Sequence, residues 1–184
     1  MHIAQAQADV RRIYRGGSSG ALVSALLWFA AAAVYQLVSP GLAMLVLFVG
    51  GTLIFPLSTL VLKAMGGPSA LPRGHPAIGL AMQSAFAVPL GILVAVALGS
   101  YEPTLFFPAS LIIVGAHFLV FISLYGMRIY AVLAGALIAV GTVALFWLPQ
   151  FGAISGWVGA SLLLLFALPL YRQGRRTAAL AAHY

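Results

Sequence analysis

Six apolar runs, each about 20 residues long and separated by short polar or proline-containing turns, fill the chain from Ala21 to Tyr171. All nine Lys and Arg residues fall before the first run, in alternate connections, or after the last. Arg11, Arg12 and Arg15 precede the first run; Lys63 and Arg73 lie between the second and third. Arg128 lies between the fourth and fifth, and Arg172, Arg175 and Arg176 follow the sixth. The remaining turns, at Ser39-Pro40-Gly41, Ser100-Tyr101-Glu102-Pro103 and Pro149-Gln150-Phe151, contain no Lys or Arg. Lys and Arg are held on the cytoplasmic side during insertion. The pattern therefore predicts an all-α fold, a six-helix transmembrane bundle with both termini inside (N-in/C-in).

With 63% apolar and only 6% charged residues, the composition excludes a water-soluble globule, in which roughly a quarter of residues are charged. The expected spans lie at about 21–38, 42–62, 77–99, 105–125, 129–148 and 153–171. Three parts follow: an N-terminal arm (1–20), the transmembrane domain (21–171) and a basic cytoplasmic tail (172–184). The net charge of +7 belongs to helix-end anchors that meet anionic lipid headgroups, so nucleic acid is not an expected partner. Cysteine is absent, which removes thiolate chemistry and Cys-ligated metals. Arg outnumbers Lys eight to one in a chain rich in Ala, Gly, Leu and Val, a bias common in GC-rich bacteria. The expected location is a bacterial inner membrane, with the first run retained as a helix.

In the arm, Ile3, Ala6, Val10 and Ile13 recur at helical spacing, as in a short helix lying in the interface; a frayed basic tail is the alternative. Prolines punctuate the stretch from Gly66 to Pro76 and predict a fixed loop without regular helix. Pro56 in the second span and Pro89 in the third each free a carbonyl one turn upstream. Interrupted helices of this kind line binding sites in many transporters and are also routine in spans without that role.

Polar groups within lipid are costly, so the few present are the candidate site. His117 falls near the middle of the fourth span, and Gln83 about two turns into the third. Gly79, Gln83, Ala87, Gly91, Ala95 and Gly99 form a four-residue ridge expected to pack closely on another helix. A buried His117–Gln83 hydrogen bond is the expectation, either fixing helix register or contacting a ligand. Pro56 and Ser58 complete the candidate ligand-binding set. At the cytoplasmic mouth, Lys63, Arg73, His75 and Arg128 form a candidate set for an anionic group or lipid headgroup, or serve as topological anchors.

No span carries an acidic residue, which disfavours carboxylate-coupled transport and Mg²⁺ or Ca²⁺ sites. The four His are scattered, so no metal and no cofactor is expected. A Ser–His dyad would require Ser84, Ser110 or Ser123 beside His117, and Ser110 is about two turns away. No catalytic residue is assigned.

The stretch from Gly50-Gly51-Thr52-Leu53-Ile54-Phe55-Pro56-Leu57-Ser58 through Gly115-Ala116-His117-Phe118 to Leu124-Tyr125-Gly126-Met127-Arg128 resembles a family of small bacterial integral membrane proteins without assigned function. The resemblance implies interest in Pro56, His117 and Arg128 and supplies no activity. In size, span count and topology the chain is also similar to the S components of energy-coupling-factor vitamin transporters. That resemblance implies a partner docked on a small-residue face of the first span, here Gly17, Ala21 and Ala25, although no vitamin-specific motif is present. The leading expectation is a binder or transporter of a small molecule in a cavity between spans two, three and four. The alternatives are a structural or regulatory subunit, with a membrane-protein partner or a second copy, and a lipid-acting enzyme with His117 as acid–base group.

Overall fold

A computed structural model describes residues 2–66 and 70–181, with side chains through Arg175. Part of the proline-rich loop, Gly67 to Ser69, lies outside the described residues. An amphipathic helix α1 (Ile3–Ile13) is followed by α2 (Ser18–Leu37), α3 (Pro40–Ala64) and α4 (Ala77–Tyr101). Then come α5 (Phe106–Tyr125), α6 (Ile129–Phe146) and α7 (Gly152–Ala181). Six of them, α2 to α7, are long and apolar enough to cross a membrane. No strand occurs among the described residues.

Helix boundaries follow local chemistry. Ser39 accepts a hydrogen bond from the Leu42 N–H at 3.2 Å, and Pro40 occupies the first turn of α3, where its missing N–H costs nothing. Gly126, in the left-handed conformation (φ 63°), ends α5. Arg15, Gly16 and Gly17 have positive φ and separate α1 from α2, which starts at Ser18. Helix α7 carries an interior proline, Pro169, besides those in α3 and α4, and continues without a break to Ala181.

The core lies among α2, α5, α6 and α7. Half of the α5 apolar window is buried, against 17% for both α3 and α4. Trp28 packs on Phe107 at 5.9 Å between ring centres, and Gly159 of α7 lies against the Trp28 ring. Gly115 and Gly141 bring α5 and α6 into backbone contact, Gly115 beside the Ala134 carbonyl and Gly141 beside that of Pro108. Helix α3 leans mainly on α2, and α4 mainly on α5. Ala21 and Ala25 of α2 are buried inside this core and Gly17 is closed over by Tyr125 and Tyr130. The small-residue face expected to dock a partner is thus occupied by the chain itself.

The Gly79–Gly99 ridge packs over only half its length. Gly99 lies against Met44 and Phe106, Ala95 is buried, and Gly91 meets Ile113 of α5. Ala87, Gln83 and Gly79 are exposed, and a side chain at Gly79 would meet open space. Helical geometry explains the division: a four-residue step overshoots a full turn by about 40°, so five steps carry the ridge roughly halfway around the helix. Gly99→Leu is therefore expected to lower stability in detergent by roughly 1–3 kcal/mol through overpacking, whereas Gly79→Ala should leave it unchanged or raise it slightly. Thermal unfolding of the two variants checks this.

Candidate functional site

Seven residues make almost two whole helical turns, so Ser84 shares the face of α4 that carries Gly91. Gln83, one residue earlier, is turned by about 100° onto the exposed face. The antiparallel contact that sets Gly91 on Ile113 brings Ser84 to His117, four residues further along α5. Ser84 Oγ and His117 Nδ1 are 2.7 Å apart. The expected partner of His117, Gln83, is replaced by Ser84, because the four-residue ridge had rotated away from α5 by the depth of Gln83.

Four other hydroxyls in the spans return to their own helix, while the buried Ser110 Oγ has no partner among the described residues. Thr52 donates to the Val49 carbonyl (2.7 Å), Thr59 to Phe55 (2.9 Å), Ser100 to Val96 (2.8 Å) and Ser58 to Ile54. Ser84 instead bridges two helices. Its side chain is buried, and which of the two groups donates is set by the tautomer of the ring. The Ser84 backbone also hydrogen-bonds the ring, which is only half-buried. Phe121 meets the imidazole edge-on at 4.5 Å, and Phe118 lies at 5.6 Å.

From His117 an aromatic column descends to the end of the bundle that carries the arginines. Phe121 contacts both Tyr125 and Tyr130 at 5.3 Å, and Phe118 stacks on Tyr130. The Tyr130 hydroxyl donates to the Gly16 carbonyl at 2.7 Å in a fully buried setting. Around that turn the arm is built into the fold. Gln7 Nε2 donates to the Ser123 carbonyl (2.7 Å) and Arg11 Nη1 to the Tyr125 carbonyl, closing the C-terminus of α5. Arg15 Nη2 donates to the Met65 carbonyl (2.8 Å), closing α3. Burial pulls the Arg11 pKa below its ordinary value and pushes that of Tyr14 up, the latter partly offset by a backbone hydrogen bond at Leu71.

The chain belongs to DUF7010, a family of unknown function. The family pattern matches residues 3–173, so it begins with α1 and treats the arm as part of the domain. No curated protein and no solved structure matches the chain. The small membrane-protein family suggested by residues 50–58, 115–118 and 124–128 is in keeping with this membership.

The other candidate residues of this DUF7010 member are dispersed. Pro56 is exposed on α3, and Ser58 is buried toward Gly20 of α2. Lys63, Arg73 and Arg128 project outward from separate elements. His75 is buried and withdrawn from that set: its Nδ1 accepts the Ala77 N–H (3.2 Å) at the start of α4, and its Nε2 lies 3.7 Å from Asp9 Oδ2 of α1. The expected cationic mouth is therefore not assembled from four free cations, because His75 and Asp9 join α1 to α4. No group of three metal-ligating side chains occurs among the described residues. The Ser84–His117 pair has the atoms of a dyad, but neither α4 nor α5 supplies a carboxylate to orient the ring.

Ser84→Ala should cost roughly 1 kcal/mol of stability, the scale of a side-chain hydrogen bond between membrane helices. Gln83→Ala should cost nothing measurable. Equal losses for the two in a thermal unfolding assay would contradict this arrangement.

Proposed function

We propose that this protein is an integral membrane protein of the bacterial inner membrane, inserted with its arginine-bearing end in the cytoplasm. In this reading it binds a small molecule at the Ser84–His117 pair. The orientation is supported by the confinement of Lys and Arg to one set of helix ends. The binding reading rests on one observation: His117, an imidazole within a span, is only half-buried, with Ser84 as its one side-chain hydrogen-bond partner. In a medium without water an incompletely matched imidazole is costly, so the position favours a bound molecule that pairs with it.

The weak hold of the bundle on α3 and α4 supports access from the lipid. Both helices expose most of their surface, including Phe55, Leu60, Phe86 and Leu90. A molecule dissolved in the bilayer could reach the pair from the side without crossing the capped arginine-bearing end. Movement of the molecule across the membrane is a further step that binding does not require.

A second reading, a structural or regulatory subunit, is favoured by the bond itself, which fixes the register of α4 on α5 whatever else binds there. One variant separates the two. His117→Ala should abolish retention of co-purifying small molecules while the unfolding temperature stays close to that of the parent. A loss of stability of roughly 1–3 kcal/mol with unchanged small-molecule content would favour the structural role. For the orientation, single cysteines at Ala70 and Tyr101 in this cysteine-free chain should react with an impermeant thiol reagent from opposite faces of the membrane. Labelling of both from the same face would rule the orientation out.

A further inference from the structure

The inner half of α4 carries a polar side chain on a face that the fold leaves uncovered. Gln83 is exposed, and among the described residues no group bonds its amide. It lies about 9 Å along the axis from the start of α4 at Ala77. A 25-residue helix exceeds the hydrocarbon core by only about 7 Å, shared between its two ends. The amide therefore sits below the headgroups, where lipid tails offer neither donor nor acceptor. One turn to either side are Gly79 and Ala87, also exposed, and a side chain at Gly79 would meet open space. The outer half of the same ridge is already occupied, Gly91 by Ile113 of α5 and Gly99 by Met44 of α3 and Phe106 of α5.

The chemistry of the amide selects its occupant. An amide is donor and acceptor at once, so a second amide facing it in the opposite sense matches both functions. Two copies inserted the same way are related by a two-fold axis along the membrane normal. That axis sets α4 parallel to its counterpart and places the two Gln83 side chains opposite each other. Gly79 and Ala87 lack the bulk to hold the helices apart on either side of the pair. Helix α4 contains no Lys, Arg, Asp or Glu, so no like charges oppose the contact.

We propose that this protein forms a two-fold symmetric dimer in the bilayer through the inner half of α4, with the Gln83 amides of the two copies paired across the axis. The inference rests on the membrane reading of the chain and is independent of what the Ser84–His117 pair binds. Since the amide makes no bond within its own chain, its loss is read in association and not in the unfolding of single chains in detergent.

The cysteine-free background permits a direct test in native membranes. Full-length Ala87→Cys, oxidised with copper phenanthroline, should give a disulfide-linked dimer, and Leu165→Cys, exposed on α7, should give none. Carbonate extraction of the same membranes reports insertion separately. Release of the protein would remove the membrane reading, whereas inserted Ala87→Cys that gives no dimer would overturn the dimer alone. Equal cross-linking at both positions would overturn it as well.

Affinity is read by energy transfer between donor- and acceptor-labelled Tyr101→Cys copies in phosphatidylethanolamine–phosphatidylglycerol vesicles. Gln83→Met, which keeps the length and removes the amide, should raise the protein-to-lipid ratio at half-association about tenfold. That is the scale of two hydrogen bonds between membrane helices. Gln83→Asn should recover part of the loss, and Gly79→Leu should abolish energy transfer by filling the contact. Association unchanged in Gln83→Met would overturn the amide pairing and leave the amide to the lipid headgroups.

Discussion

The buried hydrogen bond from Tyr130 to the Gly16 carbonyl is the contact around which one end of the bundle is organised. Three helices, α3, α5 and α7, finish at this end, and each finishes with carbonyls that no further turn can satisfy. Three consecutive residues with positive φ, Arg15 to Gly17, turn the arm back under them. The turn fits only because it is nearly bare. The Gly16 position abuts the Leu170 carbonyl, and a side chain at Gly174 would run into the Arg15 backbone. With the turn seated against α7, Arg15 reaches the end of α3 while Gln7 and Arg11 reach the end of α5. The arginines that mark this end in the sequence thus also close helix termini, where the negative end of each helix dipole favours them.

That arrangement accounts for what was legible in the sequence and what was not. Helix number and approximate bounds follow from hydropathy, which depends on residue type alone, so α2 to α7 were expected nearly where they lie. Side-chain pairing depends on rotation about each helix axis, and a one-residue difference there is about 100°. Gln83 was therefore the natural partner for His117 by depth, and Ser84 is the partner by rotation. The seven-residue interval from Ser84 to Gly91 carried the signal, since seven residues return to the same face where the four-residue ridge does not. The role of Gln7, Arg11 and Arg15 as caps was invisible because it depends on the turn at Gly16 and Gly17. His75 looked free for the same reason: its partner, Asp9, lies on the folded-back arm.

Neither end of the aromatic column has all of its polar groups matched: at the arm the buried Arg11 Nε has no hydrogen-bond partner among the described residues. At the arm, the Tyr130 hydroxyl, the Gly16 carbonyl and the α5 terminus all find partners within the chain. At His117 the ring is held by Ser84. A protein that needed only to fix the register of α4 against α5 could do so with Ser84 returned to its own helix, as Thr59 and Ser100 are, and an apolar residue at 117. Retaining an imidazole brings a second polar nitrogen into largely apolar surroundings, which costs free energy. The column also ties the site to the arm: a shift of His117 presses on Phe118 and Phe121, and through them on Tyr130 and the turn that seats the caps. The Ser84–His117 pair and the closure of the arginine-bearing end therefore share one set of packed rings.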